Sequence, residues 1–187
     1  MLQGNWSRSV PYSLDELKER VLVYTDAESN GYTATMIITS SLRLCYHGRI
    51  PYTLYRRLKR RRTQIVAYEL IAGIMGALQI KNLEIASASV RHFIDSNPAR
   101  QCMVKAASKQ EDLNELSGML WFVGGRTLRN YYCQYVASKL NLADAPSRGQ
   151  FSDMRRLNAQ LTSTDFYECD TAVDSWMACM QVHALVT

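Results

Sequence analysis

Four acidic side chains stand where a metal-dependent site could form. Asp26 ends the apolar, β-branched run "RVLVYTD", Asp95 ends "SVRHFID", and Asp144 follows "YYCQYVA" within the stretch "NLADAPSRG". Glu69 lies in the most apolar segment of the chain, "IVAYELIAGIMGAL". If the three runs are strands that end at one edge of an α/β sheet, their acids meet there and a helix contributes the fourth. Carboxylates so clustered repel one another unless a cation neutralises them, and Mg²⁺ prefers such oxygen ligands.

Each acid taken alone also has an ordinary structural explanation. Asp26 stands before a turn-rich stretch, Asp95 could cap a helix that begins near Pro98, and Asp144 could be a loop or cap residue. Glu69 is harder to explain in this way, because a buried charge needs a partner, which could be an arginine or a metal ion. The conjunction of the four acids favours the metal site. Two Mg²⁺ ions about 3.5 to 4 Å apart would suit phosphodiester hydrolysis.

The order of the apolar runs predicts the elements that position these acids. Three strands form an antiparallel meander and are followed by the apolar helix, a fourth strand, further helices and a fifth strand. Asn97 before Pro98 begins the second group of helices, and Gly124 and Gly125 are expected to end it. The meander strands are predicted at residues 21–25, 32–39 and 42–50. This order predicts a mixed α/β sheet with helices on its faces.

Size and charge are consistent with one domain that has a polyanionic partner. The chain has 187 residues, of which 47% are hydrophobic and 21% charged, as in ordinary globular proteins. We expect a domain over residues 21–149, an N-terminal extension over 1–20 and a partly helical C-terminal extension over 150–187. The net charge is +5, and residues 51–150 hold 15 basic but only 7 acidic side chains. A basic middle segment is compatible with nucleic acid as a partner.

The cysteines and the apolar runs indicate the class of protein. The five cysteines are scattered without a C-x-x-C pair, which argues against zinc and for free thiols in a reducing compartment. The N-terminus has no signal-peptide core, and no apolar run is as long as a membrane helix. We therefore expect a soluble, intracellular protein without membrane insertion, and a nuclear or organellar location is undecided.

Five motifs together carry a family resemblance. They are "VYTDAES", "QIVAYELIAGIMGAL", "RHFIDSNPA", the Trp in "ELSGMLWF", and "YVASKLNLADAPSRG". In these motifs, which span roughly residues 21–149, the sequence resembles a ribonuclease H domain of the retroelement, reverse-transcriptase type. The ending A-D-x-P-S-R after a V-x-S strand is the most specific of them. The resemblance implies a ribonuclease H-like α/β fold with a five-stranded mixed sheet in the order 3-2-1-4-5, flanked by helices.

The resemblance also implies an activity and a role for each acid. The activity is cleavage of the RNA strand of RNA:DNA hybrids with two Mg²⁺ ions, for which Mn²⁺ could substitute. By matching position, Asp26 would bridge both metals, and Glu69 would bind one and help to place the scissile phosphate. Asp95 would position the nucleophilic water and its metal, and Asp144 would hold the second metal on the leaving-group side.

The sequence departs from the family pattern in two places. Ser96 follows Asp95 where many relatives have Asn. Cellular members carry a mobile His near the last acid, but His47, His92 and His183 all lie outside the interval from Asp95 to Asp144. We therefore expect the product-release function of that His to be absent or replaced.

The densest basic stretch, "YTLYRRLKRRR", precedes the predicted catalytic helix. The stretch could be a run of charges that only contacts solvent, a localisation signal or a phosphate-binding surface. As a nucleic-acid-binding surface, it would hold backbone phosphates, while the 2′-hydroxyl of the RNA strand would provide selectivity. The candidate phosphate-binding residues are Arg56, Arg57, Lys59, Arg60, Arg61, Arg62, Arg126 and Arg129.

Three functions remain open from the sequence. The first is a Mg²⁺-dependent endonuclease acting on RNA:DNA hybrids. The second is a domesticated, catalytically idle domain that serves as a nucleic-acid-binding or structural subunit of a larger assembly. The third is a nuclease or transposase of the same fold that acts on DNA. The presence of all four acids argues mildly against the second.

Overall fold

The fold is built on a six-stranded mixed sheet with helices on both faces. The computed structural model describes residues 20–83, 89–127, 130–163 and 173–175. The strands, in chain order, are β1 (Arg20–Ala27), β2 (Tyr32–Ile38), β3 (Arg43–Arg49), β4 (Ser89–Ile94), β5 (Asn130–Tyr135) and β6 (Gln160–Ser163). The helices are α1 (Tyr52–Tyr55), α2 (Ile65–Asn82), α3 (Asn97–Lys105), α4 (Glu111–Thr127), α5 (Asp144–Ser147) and α6 (Ser152–Arg156).

The strand order is β5-β4-β1-β2-β3-β6. Strands β1, β2 and β3 pair antiparallel, which confirms the predicted meander, and β4 and β5 join β1 in parallel. The first five strands therefore have the predicted order 3-2-1-4-5, counted from the other edge. The predicted number of five strands is wrong, because β6 pairs in parallel with β3 and extends that edge.

The sequence of β6 explains why it was missed. Its four residues, QLTS, hold one large apolar side chain, Leu161, and that side chain is 51% exposed. An edge strand that buries so little has no alternating hydrophobic pattern to indicate it. It lies beyond residue 149, where the sequence-based domain boundary was placed. The division into a domain and two extensions stays a prediction, and residues 1–19, 164–172 and 176–187 lie outside the described part.

Helix α2 is the central helix of the first face. Its residues from Ala67 to Ile80 are all buried, because the helix packs against the sheet on one side and against α3 and α4 on the other. A β-carbon at Gly76 would lie 3.1 Å from Thr25 Cγ2 and 3.4 Å from Val23 Cγ1, so this glycine allows close packing on β1. A β-carbon at Gly73 would instead overlap the end of the Met103 side chain on α3.

Helix α4 is longer than the sequence indicated. The pair Gly124 and Gly125 was expected to end it, but the helix continues to Thr127. Among the described glycines, only Gly31 and Gly149 have positive φ angles, so neither member of this pair adopts the left-handed conformation that ends a helix. Two glycines lower helix propensity, but the apolar residues before them hold α4 against α2.

The second face of the sheet is covered by the segment that follows β5. It contains a 3₁₀ turn (Ser138–Leu140), α5 and α6, and its Met154 packs against Met36 and Cys45 of the sheet. The described cysteines Cys45, Cys102 and Cys133 are free thiols, as expected. Among the described helices, none combines the length and the hydropathy needed to cross a lipid bilayer.

Candidate metal centre

Three of the four predicted acids come together at one edge of the sheet. The carboxylates of Asp26, Glu69 and Asp95 each place an oxygen within 4.8 Å of the others. In the parallel pairing of β1 with β4, Tyr24 is opposite Phe93, so two residues further on Asp26 and Asp95 are neighbours. Strand β1 runs one residue past Asp26, which therefore lies inside the strand and not at its end. The second turn of α2 places Glu69 beside them.

Glu69 is the most constrained of these acids. Its side chain is 3% exposed, and its Oε2 atom has no hydrogen-bond partner among the described residues. The pKa of Glu69 is raised to about 9, mainly by burial. The negative charges of Asp26 and Asp95 contribute to this rise, and the hydrogen bond from the backbone amide of Ala27 opposes it. Without a cation, this carboxyl group keeps its proton at neutral pH. A buried oxygen with no protein partner is a feature that a metal ion would explain.

Asp26 is held in place by the segment after β5. Ser147 donates its hydroxyl hydrogen to Asp26 Oδ2 at 2.5 Å, and the Asn141 amide donates to the Thr25 carbonyl at 3.0 Å and weakly to Asp26 Oδ1 at 3.4 Å. Burial raises the pKa of Asp26 to about 7, while the Ser147 hydrogen bond opposes this shift and the charge of Asp95 adds to it. The buried side chains of Ser147 and Asn141 therefore fix the orientation of the Asp26 carboxylate, which forms no ion pair among the described residues.

Asp144 lies near the three-acid group but is not part of it. It is the first residue of α5, and its carboxylate accepts a hydrogen bond from Arg148 at 2.6 Å. Its charge nevertheless raises the pKa of both Asp26 and Glu69. The role of Asp144 as a fourth metal ligand stays a prediction, since its carboxylate is engaged by an arginine four residues along.

The chemistry of the three-acid group fits a hard divalent cation. All of the ligand atoms are carboxylate oxygens, which Mg²⁺ prefers, and the described histidines and cysteines take no part in the group. Burial and the neighbouring negative charges raise the pKa values of Asp26 and Glu69, and a bound cation would oppose both effects. The residues present could therefore hold at least one such ion.

The basic stretch before α2 is fixed by an acidic helix end. Three of its side chains pair with the first turns of α4: Arg57 with Glu115, Lys59 with Glu111 and Arg61 with Asp112, each at 2.5 Å. Burial by itself would raise the pKa of Asp112, but hydrogen bonds from Arg61 and from the Lys59 backbone outweigh it and leave the pKa below its usual value. These pairs attach the stretch to α4.

The other basic side chains of the stretch face solvent. Arg56, Arg60 and Arg62 are exposed and form no ion pair among the residues that the structure describes. Arg126 follows the glycine pair that was expected to end α4 but belongs to that helix, and neither its side chain nor Arg129 lies within the described part. The predicted phosphate-binding set thus divides into paired, exposed and undescribed residues.

Sequence reasoning missed the polar residues that support the site. Asn141 and Ser147 could have been noticed, because they flank Asp144 within "NLADAPSR". His92 is 1% exposed and forms hydrogen bonds with Thr25 Oγ1 at 2.6 Å and with the Tyr131 hydroxyl. Thr25 directly precedes Asp26 in β1. Burial lowers the pKa of His92 to about 3, so it is a neutral core residue.

The comparisons with known proteins concern the fold. No protein-family model matches the sequence, and no curated protein is significantly similar to it. Ribonuclease H1 from the halophilic archaeon Halobacterium salinarum superposes with a TM-score of 0.52 and 14% identity, covering 70% of this chain and 98% of that one. The N-terminal ribonuclease H domain of a Mycobacterium tuberculosis protein, solved as a fusion with maltose-binding protein, gives a TM-score of 0.51 and 18% identity, covering 75% and 99%. The chain has a ribonuclease H-like fold.

Proposed function

We propose that this protein is a Mg²⁺-dependent endonuclease that cleaves the RNA strand of RNA:DNA hybrids. The observation that supports it best is the group of Asp26, Glu69 and Asp95 at the edge of a ribonuclease H-like sheet, with a buried Glu69 oxygen that lacks a partner. The retroelement type is part of the proposal and rests on the motif that contains Asp144.

In the proposed reaction, Asp26, Glu69 and Asp95 would hold the first ion, and Asp26 and Asp144 would hold the second. When bound, the ions supply activation of the attacking water and stabilisation of the leaving oxygen. The hydroxyl of Ser147 keeps the Asp26 carboxylate in one orientation, since it donates to Oδ2. For Asp144 to serve, it must exchange its hydrogen bond with Arg148 for an ion, which that exposed arginine can permit by turning to solvent.

The exposed arginines of the basic stretch are proposed to hold substrate phosphates. Arg56, Arg60 and Arg62 are free of ion pairs among the described residues and can approach a nucleic-acid backbone. Arg57 and Arg61 are half-buried and engaged with α4, so we assign them the role of fixing the stretch. Arg126 and Arg129 stay candidates from the sequence. Such phosphate contacts supply affinity and register without reading sequence.

The test is cleavage of a labelled RNA:DNA hybrid in Mg²⁺, beside duplex DNA and duplex RNA of the same sequence. Asp95→Asn serves as the control, because it keeps the shape of the side chain and removes a metal ligand. We expect cleavage of the RNA strand of the hybrid alone, and its loss in the variant. Cleavage of duplex DNA alone would support a DNA nuclease, and folded protein that cleaves none of the three substrates would refute the enzyme.

One observation favours a second candidate, a domain of the same fold that no longer cleaves. The hydrogen bond from Arg148 satisfies Asp144 without a metal, as expected if the second ion were not used. Isothermal titration with Mn²⁺ separates the candidates. Binding of Mn²⁺ by the wild-type chain that is lost in the Asp95→Asn variant would support the enzyme. No binding of Mn²⁺ to the folded wild-type chain would support the idle domain.

A further inference from the structure

A stack of planar side chains extends from β2 across β3 to the segment before α6. The guanidinium carbon of Arg49 lies 5.4 Å from the centre of the Tyr32 ring. Tyr32 stacks on His47 with ring centres 5.4 Å apart and an interplanar angle of 3°, and His47 meets the edge of Phe151 at 5.3 Å. These four residues are called the Arg49 stack below. At its outer end stands an exposed arginine.

The strand register places the Arg49 stack on the same sheet face as Asp26. Asp26 is opposite Ala34, and Ala34 is opposite His47, so these three side chains point to one face. Tyr32 and Arg49 are two residues from Ala34 and His47, so they share that face. Arg49 lies two strands away from Asp26 at the same end of the sheet. Strand spacing and rise put the two Cα atoms about 12 Å apart.

Arg49 has no acidic partner among the described residues. None of the ion pairs among the described residues includes it, although three carboxylates cluster at the same edge of the sheet. A guanidinium within about 6 Å of a ring centre is attracted to the ring face, which limits the conformations of the arginine while its N–H groups stay available. Arginine also binds phosphate in a bidentate manner, which lysine cannot do.

We propose that Arg49 binds a backbone phosphate of the nucleic acid, a few nucleotides from the bond that is cut. This inference rests on the proposed function and adds a phosphate site outside the basic stretch. Tyr32, His47 and Phe151 orient the guanidinium before the substrate arrives, so that little side-chain freedom is lost on binding. Arg49 also ends β3, three residues before α1 begins, so in the proposed path the nucleic-acid backbone passes Arg49 between the acids and the exposed arginines after α1.

The experiment measures binding of a fluorescently labelled RNA:DNA hybrid by anisotropy, with Asp95→Asn in every protein so that the hybrid stays intact. Arg49→Gln is compared with Arg20→Gln, which removes the same charge from an exposed residue at the opposite end of β1. One lost phosphate contact is expected to weaken binding about fivefold to tenfold at 0.1 M salt and to reduce the slope of log K against log salt by about one. Arg20→Gln should change neither quantity measurably.

A further variant tests the role of the rings. Tyr32→Leu keeps the Arg49 charge and removes the ring that orients it, so a smaller loss of affinity with an unchanged salt slope is expected. Equal affinity and slope for Arg49→Gln and Arg20→Gln would overturn the inference and leave the proposed function intact. Hybrid binding that needs Arg49, in a wild-type chain that does not cleave, would overturn the function and keep the inference. No binding of hybrid by any of the proteins would overturn both.

Discussion

Glu69→Gln should stabilise the metal-free protein, although it removes a proposed catalytic ligand. The pKa of Glu69 rises from 4.5 to about 9 in the folded state, first because of burial and then because of Asp26 and Asp95. Between these two values the unfolded chain has released the proton and the folded chain has not. Unfolding therefore becomes easier as the pH rises through this window, by about 1.4 kcal/mol per pH unit from this group.

The size of the effect follows from the pH of the experiment. At pH 7 the carboxyl group of Glu69 lowers the free energy of unfolding by about 3 kcal/mol relative to a neutral side chain of the same shape, and at pH 5 by less than about 1 kcal/mol. Glutamine has that shape and does not titrate. We therefore expect Glu69→Gln to have nearly wild-type stability at pH 5 and to be more stable by about 3 kcal/mol at pH 7.

Urea unfolding in EDTA at pH 5 and pH 7 measures both values. Glu111→Gln is the matched control, because Glu111 is an exposed surface acid and its substitution should change stability by less than about 0.5 kcal/mol. Adding 10 mM Mg²⁺ at pH 7 should stabilise the wild type and Glu111→Gln by about 1.4 kcal/mol for a dissociation constant of about 1 mM, but should not stabilise Glu69→Gln. If Glu69→Gln were less stable than the wild type at pH 7 in EDTA, the argument for an uncompensated carboxyl group would be refuted.

Three other substitutions test neighbouring parts of the structure. Arg61→Met should lower the free energy of unfolding by about 3 kcal/mol, because it leaves the buried Asp112 carboxylate without its partner, and chemical denaturation measures this. Gly76→Val should cost about 1–3 kcal/mol in the same assay, since branched atoms would press on the sheet. Ser147→Ala removes the hydroxyl that donates to Asp26, a charge-assisted hydrogen bond of about 1.5–3 kcal/mol. Calorimetry should therefore show Mn²⁺ binding weakened at least about tenfold. Unchanged Mn²⁺ affinity would contradict the role of Ser147 in orienting Asp26.

The parts of the fold that the sequence predicted are those that bury alternating or continuous apolar faces. β1 to β5 and α2 have such patterns, and their order was enough to bring Asp26, Glu69 and Asp95 to one edge. β6 was missed because its pairing with β3 is a backbone interaction that leaves almost no side-chain pattern. The length of α4 was missed because tertiary packing overrides the low helix propensity of two glycines.

The basic stretch shows a limit of charge patterns. Arg60 and Arg61 are neighbours and look alike in the sequence, but one is exposed while the other pairs with the buried Asp112. The partner lies 51 residues away, in an acidic helix start that the sequence assigned no role. Whether an arginine serves the fold or a partner depends on such distant contacts, so charge density predicted the surface but not the residues that remain free to bind.

The motif at the end of the fifth strand has a physical explanation that needs no family comparison. Asp144 starts α5, Ser147 reaches back to Asp26 on the first strand, and Arg148 returns to Asp144. Gly149 has a φ of +72°, a conformation that other residues adopt only with strain, so it allows the chain to turn directly after them. The spacing from Asp144 to Arg148 is that of one helical turn, and within it Ser147 contacts Asp26 while Arg148 contacts Asp144. This turn holds Asp144 close enough for its charge to raise the pKa of Asp26 and Glu69 while Arg148 binds its carboxylate.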